Sequence, residues 1–135
     1  MKDLNCILLV DDDSINNFIN LRLINKLNLS KEVKVAMNGE EGLNFVKEKC
    51  EVENGCCPEL ILLDINMPVM DGIEFLKYFN KLQIDKESVK VVVLTTSSNA
   101  SDLEKVKKQG VYMYMNKPLT EEKLLKLVEN AKVAV

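Results

Sequence analysis

Ile7-Leu8-Leu9-Val10-Asp11-Asp12-Asp13 sets an apolar run directly against three acids, and Leu60-Ile61-Leu62-Leu63-Asp64 repeats the arrangement later in the chain. A third run, Val91-Val92-Val93-Leu94, ends in Thr95, and a fourth segment, Val111-Tyr112-Met113-Tyr114-Met115, ends near Lys117-Pro118. Uninterrupted apolar runs of this length read as parallel strands buried on both faces. Open parallel sheets place their ligand crevice outside the carboxyl ends of the strands. The acids Asp11, Asp12 and Asp64, the Thr95 hydroxyl and the Lys117 amine would converge there. That set suits a divalent cation and a phosphoryl group.

Between and around these runs, the chain alternates strand and helix. Strand one covers about Asn5 to Val10, and helix one runs from an N-cap near Ser14 to about Asn28. Strand two is Glu32 to Met37, with Val33, Val35 and Met37 alternating with Lys34 and Ala36. Asn38-Gly39 is turn chemistry, and Glu40-Glu41 opens helix two, which ends near Lys49. Helix three follows the loop Ile65 to Gly72 and carries Phe75, Leu76, Phe79 and Leu82 on one face. Strand four is Lys90 to Leu94, and helix four runs from about Ala100 to Gln109, stopped by Gly110. Thr120 caps the last helix, with Leu124, Leu125, Val128 and Ala131 as its apolar stripe.

Five strands alternating with five helices predict a doubly wound α/β sheet, and right-handed crossovers favour the order 2-1-3-4-5. Strands one and three are then neighbours where the winding reverses, so Asp12 and Asp64 face each other across one strand spacing. The 135 residues fit a single domain, 1–135, without repeats or long linkers. A net charge of −3 gives no general pull toward nucleic acid or anionic lipid. No apolar stretch is long enough to span a membrane, and the start Met-Lys-Asp-Leu-Asn-Cys lacks a secretory signal, so the expected compartment is the cytoplasm. Cys6 reads as a small buried residue, and Cys50, Cys56 and Cys57 as inert thiols of a polar loop. Without a histidine or a Cys-x-x-Cys pair, a structural zinc site is not expected.

The chemistry follows from the charges. Three carboxylates in one crevice coexist at neutral pH only with protonation or a cation. Mg2+ suits oxygen ligands and typically uses one or two carboxylates with a phosphate oxygen. A carboxylate can attack phosphorus to give an acyl phosphate, and the transfer then requires charge neutralisation of the phosphoryl oxygens. Lys117 and Thr95 would contribute to that.

These residues resemble the receiver domain of two-component response regulators, over essentially the whole chain. Leu8 to Asp13 is similar to its acidic opening, Leu63 to Gly72 to its phosphoacceptor segment, and Val93-Leu94-Thr95-Thr96 and Asn116-Lys117-Pro118-Leu119 to its remaining motifs. Asn38 to Leu43 resembles its second-helix entry. The resemblance implies a flavodoxin-like fold and a signalling domain rather than an enzyme. It implies that Asp64 accepts phosphate from a histidine kinase or histidine phosphotransfer protein. Asp12 would bind Mg2+ directly, Asp11 directly or through water, with Asp64 and the backbone carbonyl of Asn66 completing the ligands. Thr95, Lys117 and the backbone amides of Asn66 and Thr96 would hold the phosphoryl oxygens. It further implies a cis peptide before Pro118 and a switch formed by Thr95 and Tyr114. Signalling would then pass from helix four, strand five and helix five to a downstream protein target, with the chain a monomer or weak dimer through that surface.

Departures are local. Thr96 stands where a smaller residue is usual, Asn66 and Ser97 occupy positions that tune hydrolysis, and the loop Cys50 to Pro58 is long. Helix one is apolar on several sides (Ile15, Phe18, Ile19, Leu21, Leu23, Ile24, Leu27), which fits either a well-buried helix or a docking face for a kinase or phosphotransfer helix. Three alternatives differ in their chemistry. Asp11-Asp12-Asp13-Ser14-Ile15 faintly resembles the motif of haloacid-dehalogenase-like aspartyl phosphatases, in which Asp11 would be the nucleophile. A flavin binder shares the sheet order but would not tolerate so many acids near its phosphate. A pseudo-receiver acting only as a binding module would not need every phosphorylation residue. With no output module after the last helix, the expectation is a free-standing receiver, or a piece of a longer regulator or hybrid kinase.

Overall fold

The runs without internal charge become the interior of one sheet, and the charged strand goes to its edge. A computed structural model of the protein describes residues 4–51, 57–95 and 100–133. Its strands are β1 (Leu4–Val10), β2 (Ser30–Ala36), β3 (Leu60–Asp64), β4 (Lys90–Thr95) and β5 (Met113–Asn116). All pair in parallel, in the order β2-β1-β3-β4-β5 expected from the sequence. β2 carries Lys31, Glu32 and Lys34, whose charges need water, and an edge position supplies it. β3 lies between β1 and β4 and is buried along its whole length.

The helices are α1 (Ser14–Lys26), α2 (Gly39–Cys50), α3 (Gly72–Phe79), α4 (Ala100–Lys108) and α5 (Glu121–Val133). Alternate residues of each inner strand face opposite sides, so the core divides into two layers. Leu8, Val10, Ile61, Leu63, Val91 and Val93 pack under α2, α3 and α4 with Phe75, Phe79 and Val106. Ile7, Leu9, Leu60, Leu62, Val92 and Leu94 pack under α1 and α5 with Ile24, Leu124 and Leu127. This two-faced covering leaves the carboxyl ends of β1, β3, β4 and β5 as the place where loops converge.

Several sequence expectations shift. Asp13, not Ser14, caps α1, its carboxylate accepting from the N–H groups of Ile15 and Asn16. α1 stops at Lys26 because Asn28 adopts a left-handed conformation (φ 51°), a common way to end a helix. α1 is not well buried: Ile15, Phe18 and Ile19 are 68%, 58% and 54% exposed, and its buried residues are Asn17 and Ile24. β2 ends at Ala36, which is buried, while Val35 and the following Met37 face water, because the edge strand is only partly covered. In α5 the inward residue is Leu127 rather than Leu125, and the Ala131 side chain lies outside the described residues. β5 begins at Met113, two residues later than read, and α3 ends at Phe79, leaving Leu82 to pack from the following turn. A short 3-10 turn at Lys86–Ser88 precedes β4.

The cysteine reading also needs correction. Cys50 and Cys57 form a disulfide, with Cα atoms 4.5 Å apart. The end of α2 and the approach to β3 both pack against the same core layer, which brings the two thiols together although their spacing matches no redox or zinc motif. Cys6 is buried in β1 as expected, and Cys56 lies outside the described residues.

Gly72 lets α3 start directly beneath the end of β3. Its N–H donates to the Ile65 carbonyl at 2.8 Å, and a Cβ there would stand 2.5 Å from the Asp64 carbonyl oxygen. Gly110 instead is needed for its backbone, at φ 74°, with open space around it. Gly72→Ala is therefore expected to cost about 2 kcal/mol or more by overpacking, and Gly110→Ala about 1 kcal/mol by left-handed strain. Denaturant midpoints of the two variants check the ranking; equal losses would contradict it.

Candidate functional site

Each acid of the β1–α1 turn has a separate use, and the backbone decides which. β1 ends at Val10, whose register partner on β3 is Leu63, so the next residue, Asp11, is level with Asp64. The Asp11 N–H donates to the Ala36 carbonyl at 3.1 Å, continuing the ladder to β2. Its Oδ1 accepts from the Asp13 N–H at 2.9 Å, which turns the carboxylate inward. Asp12 is exposed at the mouth, and Asp13 serves the helix as its cap. The expected facing pair, Asp12 with Asp64, is thus more accurately Asp11 with Asp64, Asp12 standing beside them. Carboxylate oxygens of Asp11, Asp12 and Asp64 lie within 4.8 Å of one another.

The other strands complete the crevice. Asp64 is the last residue of β3 and Thr95 the last of β4, 8% and 1% exposed. After β5, the Lys117 N–H donates to the Thr95 carbonyl at 2.9 Å, and the Lys117–Pro118 peptide is cis, as the resemblance implied. The Lys117 ammonium reaches Asp64 Oδ1 at 3.1 Å and Asp11 Oδ2 at 3.2 Å. One cation therefore spans two buried carboxylates from different strands.

Asn66 is exposed in the β3–α3 loop, two residues past Asp64. In that loop the Met70 N–H donates to the Pro68 carbonyl at 2.7 Å around Val69, whose φ of 68° is uncommon for a β-branched residue. Thr96 and Ser97 lie outside the described residues. Tyr114 is partly exposed on β5, and the Lys107 ammonium of α4 lies 5.5 Å from its ring centroid. Sequence reading missed two contributors. One is the use of Lys117 as counter-ion to Asp11. The other is Asn17, whose only signal was an amide among the apolar residues of helix one.

Charge in the crevice is unbalanced. Burial pushes the Asp64 carboxyl above its ordinary value; the Lys117 ammonium opposes this, and the Asp11 charge adds to it. Burial pulls the Lys117 ammonium down, but the carboxylates of Asp64 and then Asp11 outweigh it and leave it raised. Three carboxylates against one ammonium leave an excess of negative charge for a hard cation. Ligands about 2.1 Å from one Mg2+ ion lie roughly 3–4 Å apart, so oxygens gathered within 4.8 Å are close to, but not yet at, that spacing. The donors are all oxygen, as that ion requires.

Comparisons with known proteins identify the family. The family model for the response regulator receiver domain matches residues 7–129. The chain belongs to that family. Among relatives, the receiver is 32% identical to response regulator Rcp1 of Synechocystis, over 91% of this chain and 83% of that protein. It is 31% identical to two-component response regulator 24 of Arabidopsis thaliana, over 90% of this chain and 79% of that one. It is 32% identical to a probable C4-dicarboxylate response regulator, DctR, of Halalkalibacterium halodurans, covering 87% of this chain but only 47% of that protein. The crystal structure of a two-component response regulator from Cytophaga hutchinsonii superposes with a TM-score of 0.83 at 27% identity, covering 98% of this chain and 99% of that chain. A CheY-like receiver from Methanospirillum hungatei gives 0.79 at 27% identity, covering 98% and 97%. Receiver domains are signalling domains that bind Mg2+ at an acidic pocket, and response regulators interact with histidine kinases and downstream effectors. Among the described residues, no helix is long and apolar enough to cross a membrane.

A raised carboxyl means that the folded receiver binds a proton more tightly than the unfolded chain. That stability is present below the unfolded value of 3.8 and is lost as pH rises through the folded value. In metal-free protein, Asp64→Asn should remove this loss and give a higher Tm than wild type at pH 7. The gain should vanish at pH 3. Thermal melts in a chelator at both pH values check this; a lower Tm for the variant at pH 7 would contradict it.

Proposed function

We propose that this receiver takes a phosphoryl group from a histidine kinase or histidine phosphotransfer protein onto Asp64 and signals by protein contact. The observation that carries this reading is the shared ion pair of Lys117 with Asp64 and Asp11. It puts a phosphoryl-binding cation at the one acid that ends an inner strand, and it draws Asp11 out of use as a nucleophile. Both Asp11 oxygens are engaged, one by the Asp13 N–H and one by Lys117, which weighs against the aspartyl phosphatase reading.

In the proposed reaction an Asp64 oxygen attacks the phosphorus of the phosphoimidazole, forming a P–O bond as the P–N bond breaks; the imidazole nitrogen takes up a proton. Asp11, Asp12, Asp64 and the Asn66 carbonyl would hold Mg2+, which supplies charge neutralisation of the phosphoryl oxygens. Lys117 leaves its carboxylate partners for a phosphoryl oxygen, a cation moving toward the greater charge. Thr95 and the amides of Asn66 and Thr96 bind the remaining oxygens. Displacement of the Thr95 hydroxyl toward the phosphoryl group makes room for Tyr114 to turn inward, away from Lys107. The surface of α4, β5 and α5 then changes for a downstream protein target. The exposed Ile15, Phe18 and Ile19 on α1 suit docking of the donor's helix. We take 1–135 as one functional unit of the cytoplasm, monomeric or weakly dimeric through α4–β5–α5, without nucleic-acid or membrane contacts.

Incubation with acetyl phosphate and Mg2+ should add the mass of one phosphoryl group to Asp64, and Asp64→Asn should take up none. Tyr114→Ala should be modified at close to the wild-type rate, yet lose the chemical-shift changes that phosphorylation produces in α4. Label found on Asp11 would favour the phosphatase reading, and absence of label with Mg2+ bound would favour a binding module.

A further inference from the structure

Four polar or charged residues are buried among the described residues: Asp11, Asp64, Thr95 and Asn17. The first three form the crevice itself. Asn17 belongs to α1, where it and Ile24 are the inward residues, and nothing in the proposed reaction uses it. Its Nδ2 donates to the Asp11 backbone carbonyl at 2.8 Å and lies 3.6 Å from Met37 Sδ. Its Oδ1 is buried without a hydrogen-bond partner. Turning the amide over would set oxygen against the Asp11 carbonyl oxygen, so the donor contact fixes its orientation. A buried acceptor without a donor is a cost that packing does not repay. A leucine of similar size would fill the site without it. The amide therefore serves its donor.

That donor holds a specific peptide plane. The bond between Asp11 and Asp12 is planar, so pinning its carbonyl also pins the nitrogen and Cα of Asp12. Asp11 is already held at its N–H by Ala36 and at its carboxylate by Asp13 and Lys117. The carbonyl is the remaining freedom, and through it the direction of the exposed Asp12.

We propose that Asn17 is a positioning residue, which sets the affinity of the crevice for Mg2+ by fixing the Asp11–Asp12 peptide. The inference rests on the metal reading given above. Groups that orient metal ligands typically change affinity by about 10–100-fold when removed. Calorimetric titration of Mg2+ into Asn17→Leu at pH 7, with no phosphodonor present, should show a Kd about 10-fold weaker than wild type. The melting temperature of the metal-free variant should stay close to wild type, since the orphaned Oδ1 is removed while the Asp11 carbonyl loses its donor. With acetyl phosphate, the Mg2+ concentration for half-maximal rate should rise while the rate at saturating Mg2+ stays near wild type. Asn17→Ser, which keeps a donor on a shorter arm, should fall between the two and serves alone if Asn17→Leu does not fold. Wild-type affinity in the folded variant tested overturns the inference while leaving the metal reading intact. A wild-type protein that takes up no Mg2+ overturns the metal reading, and the inference with it.

Discussion

Mutual repulsion among acids at the ends of two adjacent strands is the constraint on which the rest of this molecule turns. β1 and β3 are neighbours because the winding of the sheet reverses between them, and their register sets Asp11 level with Asp64. Water screens such a pair poorly when both side chains are buried. The fold meets this with Lys117, which directly follows the far edge strand, precedes a cis peptide and is held by a backbone hydrogen bond to the end of β4. Asp12 lies beyond this arrangement and leaves the crevice negative. A cation can settle the remaining charge, and a dianionic phosphoryl group then becomes a tolerable guest.

The same arrangement explains why the surroundings are so closely tied. Asp13 caps α1, and Asp71 and Glu74 form a reciprocal cap on α3. The Gly39 N–H donates to the Met70 carbonyl, joining the start of α2 to the loop after β3. A site that must hold charged groups within hydrogen-bonding distance cannot rely on mobile loops. Tyr114, by contrast, is half-exposed on the edge strand, with the Lys107 ammonium 5.5 Å from its ring centroid.

Much of this could be read from residue order alone. Uninterrupted apolar runs identify buried parallel strands, and the polar residue that follows each one is delivered to a common end whatever the details of the helices. Asp64, Thr95 and Lys117 were legible for that reason. The boundaries were less so. Ser14 and Asp13 are both good capping residues, and only the turn geometry selects Asp13. Periodicity in α1 failed because an amide, Asn17, shares the inward face with Ile24 while Ile15, Phe18 and Ile19 stand exposed, so apolar residues lie on both sides. Val35 and Met37 misled because an edge strand is only partly covered. The Cys50–Cys57 bond was missed because their approach depends on how the end of α2 and the start of β3 pack, a tertiary property without a spacing rule.

If the acids at the ends of β1 and β3 form a single cation site balanced by Lys117, Mg2+ uptake depends on every one of them. Titrating metal-free wild type and Asp12→Asn with Mg2+ by calorimetry at pH 7 and moderate salt tests it most directly. One ion per chain for the wild type, with binding lost or at least about 10-fold weaker in the variant, is the predicted result. No uptake by the wild type, or equal uptake by Asp12→Asn, would contradict it.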